Sequence, residues 1–317
     1  MKKEHTAIIS GRFGGYYFVL DQNLDKFACK LKGSLKKAGK SKNLAVAGDE
    51  VLFEVIDKDK GQITKILPRR SVMRRAKGFH HKYTGKKSEA QILIANIDQV
   101  LIIFPVKEPD FHPLLLDRFL AIILHMDLNP VVVLNKWDLL TQEESNYFQT
   151  IIAQYKLAGV DIMCHSIVED INHCILKDKM DLKVNFMLGP SGAGKSSLVK
   201  FLEPNIDIRL GTWSDKCKTG PQTTTATEIF PLWKDTFLAD TAGFSQIFLS
   251  HISKFDLRHS YSDFFRLGNC RYLDCNHDLE TIDECIVKQA VENGDFPKDR
   301  YERYIKLLDE CCQEYLD

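Results

Sequence analysis

The sequence contains no apolar run long enough to cross a membrane. Its runs of consecutive apolar residues are short, as at 100–104 and 119–124, whereas a membrane-spanning helix needs about 20 apolar residues. The first ten residues, MKKEHTAIIS, also lack the apolar core and the small-residue cleavage site of a secretory signal peptide. We therefore expect a cytoplasmic protein with no membrane partner.

The sequence also lacks the evenly paired cysteines of a disulfide-stabilised protein. It has nine cysteines, an odd number, and several of them are scattered along the chain. Three others, Cys270, Cys275 and Cys285, surround His277 in one short segment. Such a group is typical of a metal site in a reducing compartment.

An excess of one sign of charge is absent as well, because the formal net charge is zero. The balance hides an asymmetry. Residues 1–90 contain 21 Lys and Arg against 9 Asp and Glu, a net charge of +12, and the remaining residues carry −12. A basic segment of this kind indicates either a module that binds a polyanion or a solvated basic face without a partner. Composition alone does not choose between them.

The 317 residues suffice for two or three domains, and the first 72 predict a small β-domain. Aromatic and β-branched residues alternate in part through TAIISGRFGGYYFVL and KFACKLKG, and Gly and Asp turn signals separate the later runs. About five short strands in this length indicate a barrel of the OB type, which either binds RNA or serves as a plain interaction domain. The basic residues 73–90 are interpreted as a flexible linker that orders on RNA.

Strand-like and helix-like segments alternate from residue 91 to about 250. The run ILIANIDQVLIIF is interpreted as one buried strand, whereas LLLDRFLAIILHM and NYFQTIIAQYKLAG have helical patterns. This alternation predicts a parallel sheet covered by helices. Residues 251–317 are predicted to be mainly helical, with a core stripe formed by Tyr301, Tyr304, Ile305, Leu308 and Cys312.

A phosphate-binding loop is predicted between the strand VNFML and the helix SSLVKFL, because GPSGAGKS matches G-x-x-x-x-G-K-[ST] in full. Its glycines let backbone N–H groups converge on phosphates, Lys195 supplies positive charge, and the Ser196 hydroxyl coordinates Mg²⁺. A chance glycine-rich turn is the alternative. The predicted nucleotide-binding residues of the loop are Gly189, Pro190, Ser191, Gly192, Ala193, Gly194, Lys195, Ser196 and Ser197.

The nucleotide base is predicted to bind at Asn135, Lys136, Trp137 and Asp138, which follow the VVVL strand. Open α/β proteins bind their ligands at this edge of the sheet. An Asp carboxylate accepts hydrogen bonds from both the N1–H and the N2–H₂ of guanine, and adenine has no such donor pair. The N-K-x-D segment together with a complete phosphate loop therefore predicts GTP and GDP as ligands.

A third element, Asp240-Thr-Ala-Gly243, ends the TFLA strand. Asp240 is predicted to hold Mg²⁺ through water, and the Gly243 N–H to sense the γ-phosphate. One threonine of the run 223–225, assigned to Thr224, is predicted to close on Mg²⁺ as a switch. A threonine-rich surface loop is the alternative interpretation of that run.

The order of these elements is unusual, since N-K-x-D precedes the phosphate loop. In most such GTPases it comes last. Because the elements are loops at strand ends, the site depends on their meeting in space and not on their order in the chain. A circular permutation therefore preserves the site.

The sequence resembles the circularly permuted, ribosome-small-subunit-dependent GTPase family RsgA, also called YjeQ or YloQ. The resemblance covers nearly the whole chain and is carried by the permuted order, the cysteine cluster and the segments GDEV at 48–51, PRRSVMRR at 68–75, IANIDQVLII at 94–103 and LDRFL at 116–120. It implies a multidomain α/β fold. We expect an OB-type β-barrel at 1–72, a basic linker at 73–90, a circularly permuted P-loop GTPase α/β domain at 91–250 and a helical zinc-binding domain at 251–317.

The resemblance also implies an activity. Members of the family hydrolyse GTP slowly alone and faster on the small ribosomal subunit, act in late maturation of that subunit and contact its rRNA. We therefore expect a monomeric GTP hydrolase whose hydrolysis is stimulated by the subunit and coupled to release, with GTP or GDP and Mg²⁺ as cofactors. A small-molecule kinase and a non-catalytic RNA-binding module are the alternatives.

Cys270, Cys275, His277 and Cys285 are the predicted ligands of one structural zinc ion. Three thiolates and an imidazole suit a closed tetrahedral Zn²⁺ site, and buried free cysteines are the alternative. The segment between His277 and Cys285 is two residues longer than is usual in the family, which is the change that a loop insertion would produce.

The switch departs from the family pattern as well. Where the family usually has Gly-Arg-His-Thr-Thr, Gly220 is followed by Pro221, Gln222 and Thr223. Phe244 occupies the position after D-x-x-G, where many GTPases have a Gln that orients the attacking water. Our hypothesis gives this catalytic role to Gln222, and the alternative is that the ribosome supplies the catalytic group. Subunit-stimulated turnover of a Gln222→Ala variant distinguishes the two.

Overall fold

The structure, a computed structural model, describes residues 3–38, 43–75, 91–204, 227–233, 235–241, 249 and 252–311. Their backbone divides into two compact units. The first unit takes its described residues from Met1–Val100, Cys174–Leu188 and Lys195–Phe244, and the second from Leu101–His173, Gly189–Gly194 and Ser245–Asp317.

A closed β-barrel forms the N-terminal part of the first unit, as the sequence predicts. Its strands are β1 (Glu4–Phe13), β2 (Tyr16–Asp21), β3 (Lys26–Leu31), β4 (Glu50–Asp57) and β5 (Lys60–Ile66). They pair in the order β1-β2-β3-β5-β4, and β4 also pairs with β1. The β3–β5 pairing is parallel and the other pairings are antiparallel. A short helix that the sequence reading missed, α1 (Gly33–Ala38), follows β3.

The barrel is filled by alternate residues of its strands, because successive side chains point to opposite faces. Ile9, Val19, Val51, Phe53 and Ile63 are all fully buried in this core. The period-two pattern of apolar residues in the sequence therefore predicts both the strands and the faces that they bury.

The run predicted as one buried strand, 92–104, is two strands. After β6 (Val72–Arg75), β7 (Gln91–Ala95) pairs with β6 in a separate antiparallel sheet, and a second strand follows after a turn. Asn96 makes the break: its φ is 55°, and its side-chain amide donates to the Gly48 carbonyl at 2.9 Å. The carbonyl of that amide also accepts from the Arg70 backbone N–H at 2.8 Å.

The predicted basic linker starts inside β6, since residues 73–75 belong to that strand. Residues 76–90 lie outside the described part of the chain. The predicted domain boundaries stay predictions.

Parallel strands and helices alternate through most of the second unit. The elements are β8 (Gln99–Pro105), α2 (Pro113–His125), β9 (Pro130–Asn135), α3 (Gln142–Leu157) and β10 (Asp161–Cys164). The strands lie in the order β10-β9-β8. Every residue of β8 and β9 is buried. Helices cover both faces of such sheets, and for this reason the sequences of these strands are almost continuously apolar. Thr141 starts α3 with a capping box to Glu144.

The first unit continues with α4 (His173–Met180), β11 (Val184–Leu188), α5 (Lys195–Leu202), β12 (Thr227–Trp233) and β13 (Thr236–Thr241). Strands β11 and β13 are parallel neighbours, with Val184 opposite Phe237 and Phe186 opposite Ala239. Strand β12 pairs antiparallel with β13.

The C-terminal part of the second unit is mainly helical, as predicted. It contains α6 (Lys254–His259), α7 (Ile286–Glu292), α8 (Lys298–Leu308) and two short 3₁₀ turns. In the predicted core stripe of α8, Tyr304 and Leu308 are buried, Tyr301 and Ile305 pack against the same core, and Cys312 lies outside the described residues.

Buried ion pairs join α8 to α2. The Asp117 carboxylate on α2 accepts from Arg303 Nε at 2.6 Å, from Arg300 Nη1 at 3.1 Å and from the Tyr155 hydroxyl at 2.6 Å. Arg300 also pairs with Asp263. Because an unpaired charge at such a site is strongly unfavourable, these groups stabilise the unit only as a set.

Among the residues that the structure describes, no helix is both long enough and apolar enough to span a membrane.

A close backbone approach in the first unit requires glycine at position 48. Gly48 has φ +86°, and a Cβ at this position would lie 2.0 Å from the Ala95 carbonyl oxygen. Gly15 is a matched control, since it has φ +81° and no atom of the described residues lies within 4 Å of its Cβ position.

We expect Gly15→Ala to lower the free energy of unfolding by about 1–2 kcal/mol, the cost of a left-handed residue with a Cβ. Gly48→Ala should lower it by a further ~2–4 kcal/mol, because Ala95 must also move. Urea unfolding of the full chain, followed by circular dichroism, measures both values. Equal effects of the two substitutions would contradict the close approach.

Candidate functional site

The predicted base-recognition segment begins at the carboxyl end of β9. Asn135 is the last residue of that strand, Lys136 adopts a left-handed conformation with φ 65°, and Trp137–Leu139 form a 3₁₀ turn. Strand β10 pairs in parallel with β9, with Cys164 opposite Leu134. Because parallel strands end at one edge of the sheet, the residues that follow β10 lie beside this segment.

Asn135 connects this segment to the predicted phosphate loop. Its buried side chain donates from Nδ2 to the Ala193 carbonyl at 2.9 Å, across 58 residues of sequence. Its Oδ1 lies 3.0 Å from Nδ1 of His165, the residue directly after β10. The structure therefore brings together two segments that the sequence analysis selected separately.

The glycines of the phosphate loop are required by close contacts. A Cβ at Gly189, where φ is +146°, would lie 2.0 Å from the Ile103 carbonyl oxygen. A Cβ at Gly194, where φ is +88°, would lie 2.5 Å from Asn135 Nδ2. At these two positions the loop backbone lies too close to β8 and to the base-recognition segment for any side chain to fit.

Asp138 is held by a residue that the sequence analysis did not select. The Ser166 hydroxyl donates to Asp138 Oδ1, and its oxygen accepts from the backbone N–H groups of Val168 at 3.1 Å and Glu169 at 3.2 Å. The serine thereby fixes the orientation of the half-buried carboxylate. Its position after the strand that neighbours β9 was the signal that could have identified it.

The two middle residues of the N-K-x-D segment make contacts of their own. Lys136 Nζ donates to the Glu108 carbonyl. The Trp137 ring lies edge-on to Phe148 of α3, with 6.0 Å between ring centroids. These contacts hold the segment on the second unit, and the roles of both residues toward a nucleotide stay predictions.

The remaining predicted residues of the nucleotide site fall into two groups. Lys195, Ser196 and Ser197 form the first turn of α5, directly after the loop. Asp240 lies near the end of β13. This strand pairs in parallel with β11, the strand that precedes the phosphate loop. The side chain of Asp240 and the residues Gln222, Thr224 and Gly243 lie outside the described residues.

Cys270, Cys275, His277 and Cys285 converge in the C-terminal part of the second unit. Their ligand atoms all lie within 4.8 Å of one another. His277 Nδ1 is 3.5 Å from the Cys270 sulfur and 3.4 Å from each of the other two, and the Cys270 and Cys285 sulfurs are 3.9 Å apart. The longer gap before Cys285 thus leaves its sulfur within the cluster.

These distances fit a tetrahedral zinc ion. Bond lengths of ~2.3 Å to sulfur and ~2.0–2.1 Å to nitrogen require about 3.8 Å between two sulfur ligands and about 3.6 Å between sulfur and nitrogen. Burial raises the pKa of the Cys275 and Cys285 thiols and lowers that of His277 to about 4. The buried thiolates that zinc requires therefore need a cation beside them.

The loop that carries this cluster is fastened to α8. The Tyr301 hydroxyl donates to the His277 carbonyl and the Tyr304 hydroxyl to the Asn276 carbonyl, both at 2.7 Å. The Glu280 carboxylate accepts from the backbone N–H groups of Asn276 and Asp278. All four ligand positions are taken by protein groups, so the arrangement suits a structural ion.

Two family models match the chain. The model described as RsgA GTPase matches residues 66–250, and the model described as RsgA N-terminal domain matches residues 7–63. The chain is 33% identical over 313 residues to the small ribosomal subunit biogenesis GTPase RsgA of Gemmatimonas aurantiaca, with 98% of each chain covered. It is 31% identical to the RsgA protein of Halalkalibacterium halodurans, with 93% of each chain covered.

Solved structures give the same relationship. YjeQ from Thermotoga maritima superposes with a TM-score of 0.77 at 26% identity, over 97% of this chain and 98% of that chain. YloQ, a circularly permuted GTPase, superposes with a TM-score of 0.73 at 24% identity, over 97% of this chain and 95% of that chain. The second likeness is evidence for the fold alone.

We expect the purified chain to contain about one zinc ion, and Cys285→Ser to lose most of it, because a hydroxyl is a far weaker zinc ligand than a thiolate. Elemental analysis gives the zinc content, and thermal unfolding should show a lower midpoint. Cys311→Ser is the control, since Cys311 is buried in the same core but lies outside the cluster. Full zinc occupancy in the Cys285→Ser variant would remove Cys285 from the ligand set.

Proposed function

The chain belongs to the RsgA family of GTPases, and on this premise we propose that it hydrolyses GTP during late maturation of the small ribosomal subunit. Hydrolysis is stimulated by the subunit and is followed by release from it. The family assigns the chain to ribosome biogenesis and to GTP hydrolysis. The contacts of Asn135 and Asp138 support the roles given to them below, and the other residue roles rest on the sequence motifs.

One observation carries the nucleotide part of this proposal. Asn135 of N-K-x-D donates to the carbonyl of Ala193 in the phosphate loop, so the base-recognition segment and the phosphate loop are in direct contact. A chance N-K-x-D and an unrelated glycine-rich turn would have no reason to touch. Contact between them is what a single bound nucleotide requires.

The guanine base is selected by Asp138. With Oδ1 held by Ser166, the carboxylate is oriented to accept from the N1–H and N2–H₂ of guanine. Adenine would leave the carboxylate unpaired, which discriminates strongly against ATP. The stem of Lys136 covers the base.

The phosphates are held by the backbone N–H groups of Gly189–Gly194 and by Lys195, which stabilise the charge that develops on the transferring phosphoryl group. Mg²⁺, when bound, neutralises charge on the β- and γ-phosphate oxygens. Ser196, Thr224 and Asp240 would hold that ion. Gly243 senses the γ-phosphate and Gln222 orients the attacking water.

The barrel presents a surface suited to rRNA. On β2 and β3, Lys30 Nζ lies 4.7 Å from the centroid of the Tyr16 ring, and Lys26 Nζ lies 4.8 Å from that of Phe18. Both lysines are exposed and both aromatic residues are partly exposed. Bases stack on aromatic rings and lysines neutralise phosphates, so this pattern supports single-stranded RNA as the partner.

We expect GTP turnover by the chain to rise when purified small ribosomal subunits are added. Asp138→Asn should reduce GTP turnover roughly 100-fold or more, because the amide cannot accept both guanine donors. Xanthosine triphosphate, which has an oxygen in place of the guanine amine, should restore turnover in the variant and thereby show that it is folded. Phosphate release measures each rate.

Equal turnover of ATP and GTP by the wild-type chain would contradict the base assignment. No turnover with or without subunits would make the chain a non-catalytic binding module.

Subunit affinity should fall steeply with salt, because neutralised phosphates release counterions. For the pair Lys26→Ala and Lys30→Ala, the slope of log affinity against log salt concentration should shrink by about 1.4, the value for two contacts to single-stranded nucleic acid. The pair Lys58→Ala and Lys65→Ala removes the same charge from exposed sites at the β4–β5 hairpin and should leave the slope close to the wild-type value. Sedimentation with subunits at several salt concentrations measures the slopes, and equal slopes for the two pairs would exclude the β2–β3 surface.

A further inference from the structure

A buried histidine directly after β10 contacts the base-recognition segment. His165 is completely buried, and its Nδ1 lies 3.0 Å from Oδ1 of Asn135. The backbone of the histidine is tied to the same region, because its N–H donates to the Leu134 carbonyl and its carbonyl accepts from the Trp137 N–H. Both its ring and its backbone therefore face the loop that follows β9.

The hydrogen-bond pattern fixes the tautomer of this ring. Asn135 donates from Nδ2 to the Ala193 carbonyl, so its Oδ1 is the atom that faces His165, and a carbonyl oxygen can only accept. The proton of the neutral imidazole must therefore be on Nδ1. In the opposite orientation of the amide, Oδ1 would face the Ala193 carbonyl, and two acceptors would oppose each other.

We propose that His165 is a positioning residue for guanine nucleotide, which acts by holding the Asn135 amide in the orientation that joins the base-recognition segment to the phosphate loop. The inference rests on the proposed GTP-binding function. It assigns His165 no contact with the nucleotide itself. The expected consequence of losing this hydrogen bond is weaker nucleotide binding, because the amide is then free to rotate away from Ala193.

The second ring nitrogen supports this assignment. Among the described residues, His165 Nε2 is buried without a hydrogen-bond partner, and such an atom is unfavourable in a protein interior. An apolar side chain would fill the same space without that penalty. A donor that Asn135 requires accounts for the imidazole, since no aliphatic side chain supplies a hydrogen-bond donor. Burial lowers the pKa of His165 to about 4, so the ring is neutral near pH 7.

Two amide substitutions separate this role from simple packing. The side-chain nitrogen of Asn is as many bonds from Cα as Nδ1 of His, and that of Gln as many as Nε2. His165→Asn therefore keeps a donor where Asn135 needs one, whereas His165→Gln moves it to the wrong position. Both variants place one primary amide in the same buried site, so each controls for the polarity of the other.

We expect His165→Asn to bind GDP within about threefold of the wild-type affinity and His165→Gln to bind about tenfold more weakly, the size of one lost hydrogen bond in a buried site. Calorimetric titration with GDP measures the affinities, and the unfolding midpoints of the nucleotide-free variants check that they are folded. If the Gln variant is unstable, His165→Leu fills the space without a donor and should show the same tenfold loss.

A double-mutant cycle tests whether His165 acts through Asn135. In an Asn135→Ala background, His165→Gln should weaken GDP binding no further, since the amide that it positions is gone. Additive losses, or equal affinities of the Asn and Gln variants, would overturn the inference while leaving the proposed function intact. Failure of the wild-type chain to bind GDP would overturn both.

Discussion

The contact between Asn135 and the Ala193 carbonyl is the constraint on which the nucleotide site depends. It joins the end of β9 to a loop that lies 58 residues later in the sequence. Gly194 must lack a side chain because a Cβ there would meet the same amide. Ser166 and His165, which follow the neighbouring strand, hydrogen-bond to Asp138 and Asn135 respectively. All of these residues contribute to the contact between the two loops. That contact does not depend on the order of the loops in the chain.

Sequence reasoning predicted the barrel, the α/β alternation, the helical C-terminal part and the four-residue metal cluster, because each has a local pattern. Periodicity gives strands and helices, a fixed motif gives the phosphate loop, and the local grouping of Cys and His gives the predicted zinc ligands. The reasoning failed where a contact from outside the segment decided the outcome. The run 92–104 has the composition of one strand, and only the bonds from Asn96 to Gly48 and Arg70 show why it breaks. Ser166 and His165 carry no motif, since their partners come from another strand.

The aromatic rings and lysines of β2 and β3 differ from the nucleotide site in the kind of specificity that they offer. Stacking on Tyr16 and Phe18 accepts any base, and a lysine accepts any phosphate. In the proposed function, Asp138 instead distinguishes one base by two hydrogen bonds. The proposed function therefore combines a permissive surface on the barrel with a selective site at the end of β9. Under this proposal, recognition of RNA does not depend on the identity of single bases, whereas recognition of the nucleotide depends on individual atoms.

The ion pairs of Asp117 have a consequence for the order in which parts of the chain can fold during synthesis. Its two arginine partners lie 183 and 186 residues further along, and domains generally fold as they emerge from the ribosome, N-terminal part first. Until α8 has been synthesised, the Asp117 carboxylate on α2 lacks both arginine partners and cannot be buried at low cost. Burial of Asp117 with its arginine partners is possible only after most of the polypeptide has been synthesised. A chain that lacks α8 would have to bury Asp117 without either arginine, which is strongly unfavourable.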